Sequence, residues 1–259
     1  MKKVSSNKKL DFTIVCLMIA AGLGISILFK LKPLSGALVY LLLPSLYLIF
    51  REKKNFWKIF WGVVIFGFVV GFAFDFIQTF NRSWIVTGLV FPWKFFGVLP
   101  FDDLLDWGIA ALFIFTFYEH FLDDEKNTKI SKNLKWAILV FSAGLLVCIG
   151  LYLAFPRAIT LSYAYLIGGI VAIIFPLIFS ARKKNFLEKA LKLTAFFFFV
   201  WLFAELVCLK YGGWIFPGQY IGTVSLFGLT FPFEELFFWM MCYSATTVAY
   251  YEFFIDDKK

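Results

Sequence analysis

Seven acids, in two stretches of the chain, have the spacing of a reaction site. Asp75 and Glu205 each precede a tryptophan by nine positions, at Trp84 and Trp214. Downstream of each, a proline opens an acid pair: Pro100-Phe101-Asp102-Asp103-Leu104, and later Pro232-Phe233-Glu234-Glu235-Leu236. Asp106 lies three and four positions beyond Asp103 and Asp102, on nearly the same helix face, and Phe238 stands at the matching place in the second stretch. These acids border strongly apolar runs, where a carboxylate costs a few kcal/mol on insertion scales. Gathered at one depth with few bases nearby, they are not all ionised together, because desolvation and like charge oppose it. That is the requirement for a general acid with neighbouring carboxylates as bases. Acids just after a helix-opening proline are also ordinary helix-start chemistry. Two copies, each backed by an acid on the preceding helix and by a tryptophan, favour a site.

The elements that position these acids follow from composition. The chain has 259 residues, 61% hydrophobic and 16% charged, with 37 Phe and a mean hydropathy of +0.83. Soluble domains are far less apolar and more charged, so a soluble globular enzyme, a disordered chain and a secreted disulfide scaffold are excluded. The expected fold is an all-α membrane protein, because lipid-exposed backbone must satisfy its own hydrogen bonds and no alternating barrel pattern occurs. Apolar runs predict eight spans near 11–29, 34–50, 56–80, 100–121, 135–155, 160–180, 190–209 and 231–254. The first run is too long, and lacks a small-residue cleavage site, for a removable signal peptide. With eight spans, 19 of the 25 Lys and Arg fall on the side holding both termini. The expectation is a multi-pass cell-membrane protein with cytoplasmic termini. The net charge of +8 belongs to these loop clusters, which predict no nucleic-acid partner.

The two acid sets belong to an internal repeat. Phe91-Pro92 answers Phe216-Pro217, and Tyr-Glu-x-Phe-[Leu/Ile]-Asp-Asp closes each half at 118–124 and 251–257. Pro44 and Pro176 are 132 positions apart, as are Pro100 and Pro232. Two parallel four-helix repeats are expected: a basic N-terminus at 1–10, a first repeat at 11–124, a linker at 125–134 and a second repeat at 135–257. An even number of spans per unit gives both copies one orientation, unlike inverted transporter repeats. Equivalent groups then face each other across a central cleft, which suits a long substrate with two similar ends.

Other residues rank lower. His120, the only histidine, is expected at the surface or as a cap, and Glu119 and Glu252 at the interface. Trp84 and Trp214 have an alternative reading as membrane-interface anchors. The run Phe196 to Phe199 is expected to face lipid or pack, and aromatics near the acids could steady a carbocation. Cys16, Cys148, Cys208 and Cys242 lack paired spacing and read as small hydrophobes. Gly22-Leu23-Gly24 is no dinucleotide fingerprint. No phosphate loop, metal-ligand cluster or Ser/His/Asp arrangement occurs, so neither a metal nor another cofactor is expected.

The acid–Trp spacing, the aromatic-Pro segment and the Pro-x-Glu-Glu-x-x-Phe opening of the next helix resemble the lycopene cyclase domain. This is the membrane-embedded type that occurs as two small subunits or one fused chain. Glu205, Trp214 and Pro232 to Phe238 match nearly throughout. The first half matches at Asp75, Trp84 and Pro100 but has Asp102, Asp103 and Asp106-Trp107 where the family has Glu-Glu-x-x-Phe-Phe. The likeness covers about 34–124 and 160–257.

The resemblance implies redox-neutral cyclisation of the ψ-ends of lycopene to β-rings, through γ-carotene to β-carotene. A carboxylic acid protonates the terminal alkene, the ring closes, and the tertiary cation loses a proton to a carboxylate. Glu234, Glu235 and Glu205 are expected to carry the proton chemistry. Asp75, Asp102 and Asp103 form a supporting or altered copy, since aspartate withdraws each carboxyl by a methylene and misplacement by about 1 Å can cost about a hundredfold in rate. Trp84, Trp214, Phe238 and Asp106 are the expected substrate contacts. The partners implied are a lipophilic C40 polyene, the bilayer and other carotenoid enzymes. Three alternatives stay open: a cyclase or hydratase for another isoprenoid end group, a proton-coupled transporter using the acids as an ion path, and a non-catalytic subunit of another carotenoid enzyme.

Overall fold

Each apolar run becomes a helix where its ends can be satisfied. The side chain of Asn7 accepts the Leu10 N–H and starts α1 (Lys8–Phe29), and Lys30 closes it in the left-handed conformation. Pro33, which has no N–H to leave unpaired, opens α2 (Pro33–Arg51). The computed structural model describes residues 7–51, 55–123 and 128–256. Within them follow α3 (Phe56–Phe80), α4 (Phe101–Leu122), α5 (Leu134–Ala154), α6 (Ala164–Arg182) and α7 (Lys184–Lys210). A last helix, α8, runs as a wide π-helical stretch from Glu235–Cys242 and continues over Tyr243–Phe254. About 75% of the structure is helical.

Helices α1 to α7 are long and apolar enough to cross a membrane, which makes this a multi-pass membrane protein. Eight such helices were expected. The eighth helix forms, but it carries Glu235, Ser244, Thr246, Thr247 and Glu252 and falls short in apolarity. Its polar groups face inward: Glu235, Ser244, Thr247 and Glu252 are all buried. Helix α7 starts six residues before the expected 190, because Phe186, Ala190 and Leu193 are buried while Glu188 and Lys192 pair at 2.6 Å on the exposed face. The outer faces of α5 and α6 expose Leu139, Leu146, Leu153, Val171 and Leu177, a surface suited to lipid.

The purely helical expectation is corrected at one end of the bundle. Residues 81–100 and 211–232 form three antiparallel strand pairs. Strand β1 (Ile85–Val86) pairs with β4 (Trp214–Ile215), β2 (Lys94–Phe95) with β3 (Leu99–Pro100), and β5 (Thr223–Leu226) with β6 (Leu229–Pro232). The two hairpins turn at Phe96-Gly97 and Phe227-Gly228, all four residues at positive φ. Such turns match the twist of short hairpins, and segments this short carry no readable alternation. The β1–β4 pair ties the loop of the first half to that of the second.

The core lies along α4. Its buried Phe113 and Phe117 meet Phe197 of α7, on which Trp201 stacks, and its Phe115 meets Tyr251 of α8. The phenylalanine run of α7 divides accordingly, with Phe197 fully buried and Phe199 exposed. Gly71 lets the side chain of Trp107 lie against α3, since a Cβ there would meet Trp107 Cβ at 3.0 Å and its ring at 3.1 Å.

The opposite end of the bundle holds a second polar layer that corrects three expectations. His120, Glu119 and Glu252 are buried rather than at the surface. His120 Nε2 lies 3.0 Å from Asp11, whose carboxylate also accepts from Tyr47 Oη at 2.6 Å and pairs with Arg51. Lys58, fully buried, pairs with Asp256 and lies 3.9 Å from Glu119, which accepts from Asn55 and Tyr251. The expected boundaries at 1–10 and 125–134, and the side count that used Lys2, Lys3, Lys53, Lys54, Lys126, Lys258 and Lys259, fall partly outside the described residues, as do Asp124 and Asp257.

Candidate active site

Helix direction brings the acids together. Asp75 and Glu205 sit near the ends of α3 and α7, and Asp103, Asp106 and Glu235 sit in the opening turns of α4 and α8. Antiparallel neighbours place all five at the strand-bearing end. There they line one cavity of about 120 Å³ between the two halves. Its remaining wall is mainly aromatic, with Phe74, Trp84, Trp107, Trp201, Trp214 and Trp239 prominent.

The acid–tryptophan pairs are direct contacts. Trp84 Nε1–H donates to Asp75 at 2.9 Å, and Trp214 Nε1–H donates to Glu205 at 2.8 Å. Both indoles thus face the cavity, which corrects the anchor reading. Thr79 adds a bond to Asp75 at 3.3 Å. Glu235 accepts from the phenol of Tyr165 on α6 at 2.8 Å. Buried oxygens of Asp75, Asp103, Asp106 and Glu205 have no protein partner. Among the described residues, none of the five acids has an ion pair within 4 Å, unlike the acids at the opposite end. Acids held in a largely apolar pocket with spare oxygens and no ion-pair partner can give and take protons.

The structure divides each acid pair. Asp102 and Glu234, expected among the proton-handling acids, do not line the cavity. Asp102 accepts the backbone N–H groups of Val90 and Phe91, and Glu234 accepts the N–H of Ile221 at 2.8 Å. The first acid of each pair pins the preceding loop across the helix start. The second acid, Asp103 or Glu235, turns inward. Phe238, expected at the substrate, is also outside the cavity lining and packs its ring against Gly169 and 6.2 Å from Tyr165. Asp106 lines the cavity.

Sequence reasoning missed Tyr165, Tyr40, Trp107, Trp201 and Trp239, all in the wall. One signal was present: Trp107 and Trp239 are 132 positions apart, the same offset as Pro100 and Pro232, and their rings meet at 5.4 Å. Tyr165 has no counterpart of its own type at that offset, where Pro33 stands, so the repeat could not reveal it. Comparison of the chain with known protein families, with curated proteins and with solved structures finds no match.

Proposed function

We propose that this protein is a membrane-embedded lycopene cyclase that closes the linear ends of a C40 polyene into β-rings without redox change. It would be built as two parallel four-helix repeats with eight spans and both termini in the cytoplasm. The observation that carries the reading is the single cavity in which five carboxylates from both halves face an aromatic wall. A hydrocarbon substrate needs a proton donor strong enough to attack an alkene, aromatic faces for the resulting cation, and a base for the final proton. The cavity supplies all three chemistries. One end of the polyene would enter the cavity at a time, with the remaining chain lying between helices or in lipid. Cavity acids protonate the terminal alkene, the neighbouring double bond closes the ring, and a second carboxylate takes up the proton released.

The transporter reading is disfavoured by the apolar middle of α4. Along α4 the cavity acid Asp106 and the next buried acid, Glu119, are separated by thirteen positions, about 20 Å at 1.5 Å per residue. The intervening Ala110, Ala111, Phe113, Ile114 and Phe115 are buried and apolar. Thr116 is the polar exception, and its hydroxyl is engaged by the carbonyls of Leu112 and Phe113. An ion path along α4 would place polar groups through that layer; the buried Ser244 and Thr247 belong to α8, where the Ser244 hydroxyl accepts from Trp201.

The test is expression in bacteria that accumulate lycopene, followed by separation of the pigments. The expected outcome is a red-to-orange shift with monocyclic and bicyclic products. Unchanged lycopene, with the protein present in the membrane, refutes the reading.

A further inference from the structure

The two halves offer unequal partners to their inward acids. Glu235 is held by the Tyr165 hydroxyl at 2.8 Å, across seventy positions of sequence. Asp103, its counterpart, has a buried oxygen with no protein partner. The position that would answer Tyr165 in the first half is Pro33, which lines the cavity but has no hydroxyl. Tyr165 is itself fixed from both sides. It is buried at 3% exposure, and its ring meets Trp84 edge-on at 5.0 Å. Trp84 is in turn bonded to Asp75. A phenol O–H aimed at one carboxylate oxygen fixes the rotation of that carboxyl and leaves the other oxygen to face the cavity.

We infer that Tyr165 is a positioning residue that orients Glu235 as the proton-accepting carboxylate, and thereby sets which proton the cyclised cation loses. This rests on the cyclase reading. In the step concerned, a cavity acid gives its proton to the terminal alkene carbon, and the π electrons of the neighbouring double bond form the ring C–C bond. The tertiary cation left in the ring has acidic C–H bonds on several adjacent carbons. Glu235 takes one of these protons, and that C–H electron pair becomes the ring double bond. The proton returns to the donor carboxylate, so the reaction remains an isomerisation. Three different ring isomers are available to the same cation. The base's position, not its presence, chooses among them.

The test compares Tyr165→Phe and Tyr165→His with the wild type in lycopene-accumulating bacteria, with ring products separated by isomer and normalised to membrane-inserted protein. Tyr165→Phe is expected to lower ring formation at least tenfold and to yield a ring isomer with a displaced double bond. Tyr165→His, which keeps an N–H donor, is expected to recover part of the yield over Tyr165→Phe. A wild-type yield and isomer ratio in Tyr165→Phe overturns the inference. So do Phe and His variants equally impaired per inserted protein, or a Phe variant that fails to insert at all, since either outcome assigns the tyrosine to packing alone. If the wild type itself forms no ring, the cyclase reading fails instead.

Discussion

At the scale of single residues, position within an acid pair decides the consequence of losing a carboxylate. Glu235 faces the cavity, so Glu235→Gln removes a group that can exchange a proton. General acid–base groups contribute about 10²–10⁴-fold. Ring formation in lycopene-accumulating cells should therefore fall by about a hundredfold or more, as read from separated pigments. Glu234→Gln keeps a carbonyl oxygen for the Ile221 N–H and should leave the product yield within a few-fold of wild type. Asp102→Ala strips the acceptor from two backbone N–H groups at once. Val90 and Phe91 are exposed, so water can replace the carboxylate, and the net loss of about 1 kcal/mol should appear as a slightly lower unfolding temperature of the detergent-solubilised protein. Equal loss of activity in Glu234→Gln and Glu235→Gln would contradict this division of labour.

At the scale of elements, the bundle is fastened by different chemistry at its two ends. Among the described residues, the cavity acids at the strand-bearing end have no ion pair within 4 Å, and the opposite end pairs its acids with Lys58, Arg51, Lys189 and His120. Lys58 belongs to α3, Glu119 to α4, and Asp256 follows α8, so one fully buried ammonium joins three elements. Removing one partner of a buried ion pair costs about 3–5 kcal/mol, because the remaining charge is stranded. Lys58→Met should lower the unfolding temperature markedly. The membrane-inserted fraction that remains folded should still form rings, because the cavity lies about 20 Å away along α4. A Lys58→Met protein as stable as wild type would show that the pair contributes no net stability. The tight packing of α3 on α4 follows from small residues, with Gly67 facing Ala111 and Gly108, the usual way membrane helices approach closely.

At the scale of the whole molecule, the cavity belongs to neither half. Asp75, Asp103 and Asp106 come from the first half, and Glu205, Glu235 and Tyr165 from the second. The β1–β4 pairing of Ile85 with Ile215 and Val86 with Trp214 joins the halves just beside it. Chains divided at 124/125 should therefore be inactive singly and should restore ring formation when produced together, as scored by pigment colour and chromatography. Activity from either half alone would show that a complete site fits within one repeat.

How much of this was legible in the sequence depends on the range over which each feature is encoded. The spans were readable because each helix satisfies its own backbone bonds, so apolar length suffices. The helix at 231–254 was also expected and forms as α8, but its inward polar residues leave it short of the apolarity of the other seven. The repeated nine-residue spacing of Asp75 to Trp84 and Glu205 to Trp214 was readable, but the sequence offered the tryptophans as substrate contacts or interface anchors, and the direct bonds to the acids emerged only in the structure. The acids of both halves were expected at one depth for the same reason, since helix direction alternates predictably. The short strands at 85–86, 94–95 and 99–100 were not legible, because two residues show no period. His120 gave no local sign of burial; its partner Asp11 is 109 positions away.

Which acid of each pair faces inward was also hidden, because adjacent helix positions differ only by rotation. That rotation is fixed by loops that return to offer the N–H groups of Val90, Phe91 and Ile221 to Asp102 and Glu234. The amino-acid sequence by itself determined the helices, the end of the bundle at which the acids gather and the repeated acid–tryptophan spacing, all of which are local. Only the tertiary structure decided that Asp103, Glu235 and Tyr165 share one cavity while Asp102, Glu234 and Phe238 stand outside it. Contacts between groups far apart in the chain depend on how whole helices pack, and packing is a property of the assembled bundle.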